Sequence, residues 1–257
     1  MDKKIDLNCD MGESFGAYSL GNDEALMDLI TSTNIACGAH AGDPLVMDRT
    51  VRLAARHGVG IGAHPGFPDL AGFGRRAMQL TPEEIENTVL YQVGALAVFA
   101  RSVDSELAHI KPHGALYNMA AKDAEVARAI ARGVARAGED LIVVGLAGSV
   151  MIEAAREAGL RAAREGFADR AYEADGSLRS RKLEGALIHD PEAAAERAVR
   201  IARDGVVVAY TGEEIPLQVD TLCVHSDTPG AAEIVKAIRQ RLEEAGVEVA
   251  PMGSFVE

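Results

Sequence analysis

The sequence predicts an α/β protein built from parallel strands. Short apolar runs typical of strands alternate with longer helical patterns along the chain. This strict alternation implies parallel strands joined by right-handed crossovers. Polar and titratable residues follow most of the predicted strands, as they do on the catalytic face of barrels and doubly wound sheets. With about seven such strands, the fold is either a closed or nearly closed barrel or an open doubly wound sheet.

The predicted elements follow one another in regular order. The strands are residues 5–9, 33–37, 59–63, 107–110, 141–146, 160–165 and 222–225. The helices are residues 44–57, 82–101, 124–137, 150–158, 191–204 and 229–245. Four helices begin with a capping residue and then proline, an arrangement that suits a helix N-terminus: Asp43-Pro44, Thr81-Pro82, Asp190-Pro191 and Thr228-Pro229. A further apolar run and a polar turn predict a hairpin-like insertion over residues 205–219.

Length, charge and cysteine content exclude several classes of protein. A chain of 257 residues fits one large domain over residues 1–257, and barrels of about 250 residues are common. The net charge of −13 argues against general affinity for nucleic acid or anionic membranes, although a local basic pocket could still bind phosphorylated ligands. Cys9, Cys37 and Cys223 are widely spaced, so neither a disulfide framework nor a zinc–thiolate site is indicated. We expect a soluble, cytoplasmic protein.

Titratable side chains concentrate where the predicted strands end. Because the carboxyl ends of parallel strands lie on one face, we expect these side chains to share one site. No GxGxxG motif follows the first strand and no GxxxxGK[ST] motif occurs, so neither phosphate-binding loop is indicated. The candidates are Asp10 and Glu13 after the first strand, His40 after the second, His64 after the third, and Lys111 and His113 after the fourth.

These side chains suit two kinds of chemistry. Asp10, His40 and His64 could hold a divalent metal with open coordination positions, or carry out general acid–base catalysis. Lys111 and His113, one residue apart across Pro112, would suit a developing oxyanion or a phosphoryl group. A hydrogen-bonding structural histidine and a solvated lysine remain the alternatives at each position.

Arginines and hydroxyl groups occur in three further loops. Arg75 and Arg76 lie among glycines, a composition that fits an anion site or a surface pair equally well. Ser226 and Asp227 precede a predicted helix, where they would cap its N-terminus or bind a phosphate. The third loop could close over a ligand as a lid, and its polar residues are Asp169, Arg170, Tyr172, Arg179 and Arg181.

The first strand is unusual in its polar residues. Alternation places Asp6, Asn8 and Asp10 on one face, which would be the inside of a barrel. We expect Asp6 and Asn8 to orient their neighbours, and Asp10 and Glu13 to lie past the end of the strand at the open rim.

Six sequence blocks resemble one known family. They are "DLNCDMGESFG", "NIACGAHAGDP", "GAHPGFPDLAGFGRR", "KPHGALYN", "EGFADRAYEADGSLRSR" and "DTLCVHSDTPGA". Their order and content resemble the LamB/YcsF family, the A subunits of bacterial ATP-dependent 5-oxoprolinases. The resemblance runs from Asp6 to about Gly230 and therefore covers most of the chain.

The resemblance implies a fold and an activity. The implied fold is a seven-stranded βα barrel, a distorted TIM-like barrel akin to glycoside hydrolases and polysaccharide deacetylases. The implied reaction is hydrolysis of 5-oxo-L-proline to L-glutamate coupled to ATP hydrolysis, with Mg2+ accompanying ATP. The implied partners are the B and C subunits, and a homo-oligomer is also open.

Roles for the candidate residues follow from their charges. Lys111 with Arg75 or Arg76 would neutralise phosphoryl oxygens, and Asp10 with Glu13 would hold Mg2+ or orient water. The histidines His40, His64 and His113 would transfer protons. Residues expected to bind substrate or phosphate are Asn8, Arg75, Arg76, Arg170, Ser226 and Asp227.

Two alternatives remain open. A metal-dependent amidohydrolase or deacetylase acting without ATP would use Asp10, His40 and His64 as ligands. A non-catalytic subunit would only capture substrate or dock partners.

Overall fold

Among the residues that the computed structural model describes, 3–225 and 230–257, seven parallel strands close into a barrel. Each strand pairs with the next along the chain, and the last pairs with the first, so that Asp6 lies beside Thr221 and Asn8 beside Cys223. The closed pairing confirms the barrel and excludes the open sheet. The barrel strands are β1 (Lys3–Met11), β2 (Ser32–Ala36), β3 (Gly60–His64), β4 (Leu107–Ile110), β5 (Ile142–Leu146), β6 (Arg161–Phe167) and β9 (Thr221–Cys223).

Three short strands lie outside the barrel. The strands β7 (Val206–Val208) and β8 (Glu214–Pro216) form an antiparallel pair, which confirms the hairpin-like insertion. The strand β10 (Val247–Val249) pairs with the start of β1, where Lys3 lies beside Val247.

Helices surround the barrel, and their capping residues explain where several of them begin. The Asp43 carboxylate accepts hydrogen bonds from the backbone N–H groups of Leu45 and Val46, at 2.8 and 3.1 Å. Thr81 and Glu84 form a reciprocal capping box. The helices are α1 (Asp23–Met27), α2 (Pro44–His57), α3 (Pro82–Arg101), α4 (Gly114–Ala120), α5 (Ala124–Ala137), α6 (Val150–Glu157), α7 (Pro191–Val199), which continues as a π-helical segment (Arg200–Asp204), and α8 (Ala231–Glu244). No helix of the described residues combines the length and apolarity needed to cross a bilayer.

The alternation along β1 separates an apolar shell from a polar barrel interior. Ile5, Leu7, Cys9 and Met11 belong to the main apolar core. On the opposite face, Asp6, Asn8 and Asp10 are buried and hydrogen-bonded to other polar side chains, as the sequence predicts. Asp6 closes the base of the barrel, where it accepts hydrogen bonds from Thr31, Ser32, Thr221 and the backbone N–H of Met252.

The structure corrects four details of the predicted elements. The strand β1 extends to Met11, which pairs with Ile35, so Asp10 lies inside the strand and not past its end. The strand β9 ends at Cys223, so His225 follows it. The helix predicted from residue 229 is described from Ala231, and its predicted cap, Thr228-Pro229, lies outside the described residues. The short elements α1, α4 and β10 have too few residues for a periodic pattern to reveal them.

Candidate active site at the carboxyl end of the barrel

A cavity of about 820 Å3 opens where the barrel strands end. Its walls include the ends of β1, β3, β4 and β6 together with residues 177–182. The structure brings together the six strand-end candidates of the sequence. Five of them line the cavity, and the sixth, His40, is buried behind them against His113; the five are Asp10, Glu13, His64, Lys111 and His113.

Lys111 lies at the floor of the cavity between two carboxylates and is 3% exposed. Its Nζ is 2.9 Å from Asp10 Oδ1, 2.9 Å from Glu165 Oε1 and 3.3 Å from Asn8 Oδ1. Burial alone would lower the pKa of Lys111, but the Asp10 carboxylate and other neighbours raise it well above its ordinary value. Burial would likewise raise the pKa of Asp10, yet His64 and Lys111 hold it well below its usual range. The pair is therefore an ammonium and a carboxylate at neutral pH.

A chain of hydrogen bonds beneath the cavity fixes the orientation of Asp10. Asn34 Nδ2 donates to Asp10 Oδ1 at 2.8 Å and to Asn8 Oδ1 at 2.7 Å. His109 Nε2 lies 2.8 Å from Asn34 Oδ1, and burial lowers the pKa of His109 to about 3. The neutral ring therefore donates to the amide oxygen. Gly62 leaves room for this ring, because a Cβ there would lie 2.0 Å from His109 Nε2. His109 therefore has a structural role, and its partner Asn34 orients Asp10.

Backbone carbonyl groups determine the tautomers of two cavity histidines. His64 Nδ1 lies 2.7 Å from the carbonyl oxygen of Lys111, and His113 Nε2 lies 2.9 Å from that of Phe73. A carbonyl oxygen only accepts hydrogen bonds, so we assign a proton to each of these nitrogens. The other two nitrogens, His64 Nε2 and His113 Nδ1, face each other at 2.9 Å. Without a further cation, both would present lone pairs across this short distance.

The surroundings of the two facing nitrogens also attract positive charge. His64 Nε2 is 3.3 Å from Asp10 Oδ2, and His113 Nδ1 is 3.5 Å from Glu13 Oε1. Burial and the neighbouring histidines lower the pKa of both His40 and His113 well below its ordinary value. The geometry thus calls for a shared proton or a metal ion, and burial makes a shared proton easy to release.

The group formed by Glu13, His40, His64 and His113 also fits a divalent metal. One potential ligand atom from each residue lies within 4.8 Å of the others. Metal-bound histidines usually donate their second N–H to a carbonyl or carboxylate group, as His64 and His113 do here. Asp10 instead shares such a group with Cys223 and His225, although it contacts His64. The predicted Asp10, His40 and His64 set is therefore divided between two neighbouring groups.

The remaining predicted residues occupy different places. Arg75 lines the cavity with its guanidinium carbon 4.8 Å from the Phe73 ring centroid, and Arg170 lines the cavity as well. The side chain of Arg76 is 67% exposed and pairs with Asp69, so the structure does not bring it to the cavity. Asn8 lies below the cavity, where it donates to Glu165 and Thr221. Ser226 and Asp227 lie outside the described residues.

The structure adds residues that the sequence alone does not place in the site. Glu165, the second carboxylate beside Lys111, is the one acid of β6, and its place near the carboxyl end of that strand was the available signal. Asp169 Oδ2 lies 2.8 Å from His225 Nδ1, and the His225 ring stacks on Phe167. Because these two residues are 56 positions apart, no local pattern relates them.

Ser14 stands in a Gly-x-Ser-x-Gly sequence from Gly12 to Gly16, the spacing of a nucleophile elbow. Its hydroxyl instead bonds the backbone of Leu20, accepting from N–H at 3.0 Å and lying 3.3 Å from the carbonyl oxygen. No hydrogen bond joins it to a histidine among the described residues, so the motif forms a turn here and not a serine nucleophile.

Comparison with known proteins yields concordant matches over nearly the whole chain. The sequence model of the LamB/YcsF family matches residues 5–257. The 5-oxoprolinase A subunit of Pyrococcus furiosus is 57% identical over 254 residues, covering 99% of this chain and 100% of that protein. That of Chloroflexus aggregans is 57% identical over 245 residues, covering 95% and 97%.

Comparison with solved structures supports the fold. A lactam utilization protein from Thermus thermophilus superposes with a TM-score of 0.91 at 51% identity, covering 96% of this chain and 99% of that one. A family 4 carbohydrate esterase from Streptomyces lividans shares the fold, with a TM-score of 0.51 at 11% identity, covering 97% and 98%.

Proposed function

Because the chain belongs to the LamB/YcsF family, we propose that it is the A subunit of an ATP-dependent 5-oxoprolinase, which hydrolyses 5-oxo-L-proline to L-glutamate. The relatives that carry the name of a 5-oxoprolinase A subunit support this proposal, and that name implies further chains, which we propose to be B and C. One observation carries the proposal: Lys111 lies buried between Asp10 and Glu165 beside the paired histidines. The three free, buried cysteines are consistent with a protein that functions in the reducing cytoplasm.

The reaction needs activation of a poor electrophile. Phosphorylation of the lactam oxygen by ATP, with Mg2+ beside the phosphates, would give a cyclic imidate that water can attack at the former carbonyl carbon. The resulting tetrahedral adduct can break in two ways. Loss of phosphate first re-forms the lactam, whereas cleavage of the C–N bond opens the ring and leaves an acyl phosphate. Hydrolysis of that acyl phosphate gives glutamate and phosphate, so the site must protonate the ring nitrogen before phosphate leaves.

The paired histidines are suited to this proton transfer. A bare nitrogen of His64 or His113 can take the proton of the attacking water, and the same pair can return it to the ring nitrogen. Asp10 stays ionised beside Lys111 and can accept a hydrogen bond from the water or approach Mg2+. The Lys111 ammonium already has four close partners, Asp10, Glu165, Asn8 and Cys223, so it acts through its charge.

A reconstituted assay tests the proposal. The purified chain is mixed with its B and C partners, 5-oxoproline, Mg2+ and ATP, and the release of glutamate and ADP is followed. We expect His64→Ala and Asp10→Ala to abolish glutamate release while circular dichroism shows a folded protein. Turnover equal to that of the parent in either variant contradicts these roles, and retained turnover with altered assembly of the complex would indicate a docking role for this chain.

A second candidate function is supported by the Glu13, His40, His64 and His113 group. Its donor set fits Zn2+ or a similar divalent ion, which would supply Lewis-acid activation of an amide carbonyl or of water. The chain would then be an amidohydrolase or deacetylase that acts without ATP. Metal in the purified protein, together with activity that a chelator removes whether or not nucleotide is present, favours this alternative. Metal-free protein with ATP-dependent turnover excludes it.

A further inference from the structure

One wall of the cavity carries arginines that the reaction described above does not use. The wall is formed by Arg170, Arg179 and Arg181, which follow β6 in the sequence and all line the cavity. Arg179 has partners within the protein, since it donates to Glu173 Oε1 at 2.8 Å and to the carbonyl of Glu184 at 2.9 Å. The other two arginines differ in this respect.

Arg170 and Arg181 have few partners. Arg170 is 7% exposed, and its one hydrogen bond to a described residue runs from the guanidinium to the carbonyl oxygen of Arg179 at 2.7 Å. Its Nε is buried without a partner among residues 3–225 and 230–257. Within the same ranges, the half-buried side chain of Arg181 has no hydrogen bond and no carboxylate in ion-pair range. The nearby Asp169 carboxylate is bound to His225 through Oδ2, and its charge partly offsets that of Arg170, although no ion pair joins it to Arg170 or Arg181 among the described residues.

The two guanidinium groups are unfavourable neighbours in the absence of an anion. Burial and the charge of Arg181 lower the pKa of Arg170. Among the described residues, seven Lys or Arg side chains line the cavity against three Asp or Glu side chains. Of those acids, Asp10 is paired with Lys111 and Asp123 caps α5. Glu165 and Glu173, which lie behind the cavity lining, compensate Lys111 and Arg179, but Arg170 and Arg181 lack such an ion pair among the described residues. In a chain with a net charge of −13, these two cations at one cavity point to an anionic ligand.

We propose that Arg170 and Arg181 form a binding site for the phosphoryl group of the ligand. Two guanidinium groups match a doubly charged, tetrahedral anion that offers several acceptor oxygens, better than the single charge of a carboxylate. The proposal rests on the proposed function for the identity of the ligand, the phosphorylated lactam. The terminal phosphate of ATP offers the same chemistry, and the experiment separates the two sources.

Calorimetric titration of the purified chain tests this site in the absence of B and C. The probes are inorganic phosphate, phosphonoacetate as a small stable mimic of a phosphorylated acid, a non-hydrolysable ATP analogue, and acetate. The variant is Arg181→Gln, which removes charge from a half-buried position, and Arg170→Lys is a second, more conservative change. The matched control is Arg101→Gln, an exposed arginine at the end of α3. Thermal unfolding confirms that each variant is folded.

We expect phosphate and phosphonoacetate to bind and Arg181→Gln to weaken both by about tenfold or more, because a charge-assisted contact is lost. The control should bind within about twofold of the parent. A stronger, Arg181-dependent interaction with the ATP analogue would assign the phosphoryl group to the nucleotide. The site is disproved if no phosphoryl probe binds, if Arg181→Gln leaves binding unchanged, or if acetate shows the same dependence. If phosphate binds as expected but the reconstituted assay forms no glutamate, the proposed function is contradicted and the arginine site is not.

Discussion

Replacing Lys111 by methionine gives the sharpest test of the ion cluster at the cavity floor. The change retains the length of the side chain and removes a charge that is 2.9 Å from both Asp10 and Glu165. Removing one partner of a buried ion pair costs about 3–5 kcal/mol, because the remaining charges stay desolvated. We therefore expect Lys111→Met to lower the free energy of unfolding by about 3–5 kcal/mol at pH 8.

The stability loss caused by Lys111→Met should become smaller as the pH falls. In the parent, the pKa of Asp10 is lower in the folded state than in the unfolded state. The ionised Asp10 therefore stabilises the fold at pH values above the unfolded pKa, and this stabilisation is lost as the pH falls through the folded pKa. In the variant, the unpaired carboxyl groups bind protons more tightly when folded. The loss should thus shrink as the pH falls, by about 1.4 kcal/mol per unit while one proton is taken up.

Urea unfolding at pH 8 and pH 5.5 measures the effect. The matched control is Lys182→Met, which removes an exposed lysine from the cavity rim and should change stability by about 0.5 kcal/mol or less. A loss below about 1 kcal/mol in Lys111→Met, or one that is equal at both pH values, would refute the reasoning.

Two further variants probe positions that do not line the cavity. Gly62→Ala should displace His109, lower the free energy of unfolding by about 1–3 kcal/mol in thermal unfolding, and reduce turnover. The control is Gly94→Ala in α3, where a Cβ meets nothing within 4 Å, and it should be neutral or slightly stabilising. Equal effects of the two substitutions would contradict the packing argument. Asp43→Ala removes the cap of α2 and should lower the free energy of unfolding by about 1–2 kcal/mol, as measured with urea. Glutamate formation per folded molecule should stay unchanged. A selective loss of turnover would assign Asp43 to the site.

The sequence predicted where the site lies better than it predicted which side chains of the site contact one another. Alternation in β1 correctly placed Asp6, Asn8 and Asp10 on one interior face, because side-chain direction in a strand is a local property. The gathering of Lys111 and His113 with the residues after β1 and β3 followed from parallel strand order.

Contacts between residues that are distant in sequence determine the pairings that the sequence could not predict. Glu165 reaches Lys111 across the barrel interior, and nothing in the local sequence of either strand encodes that pairing. Arg75 and Arg76 are adjacent in sequence, yet Asp69 holds Arg76 on the surface while Arg75 turns to the cavity. Similarly, which histidines face each other depends on the carbonyl groups of Lys111 and Phe73, which become neighbours only in the folded chain.

The hydrogen bonds of Asp6 have a consequence for the order of events during folding. Its partners Thr221 and Met252 are 215 and 246 residues away in sequence, so these contacts require the closure of very long loops. During synthesis, Thr31 and Ser32 are the first of these partners to become available to the carboxylate, and Thr221 and Met252 follow only after all the preceding barrel strands. Barrel closure at this point therefore cannot precede the synthesis of β9, and we expect it to come late in folding, after the contacts between βα units that are neighbours in sequence.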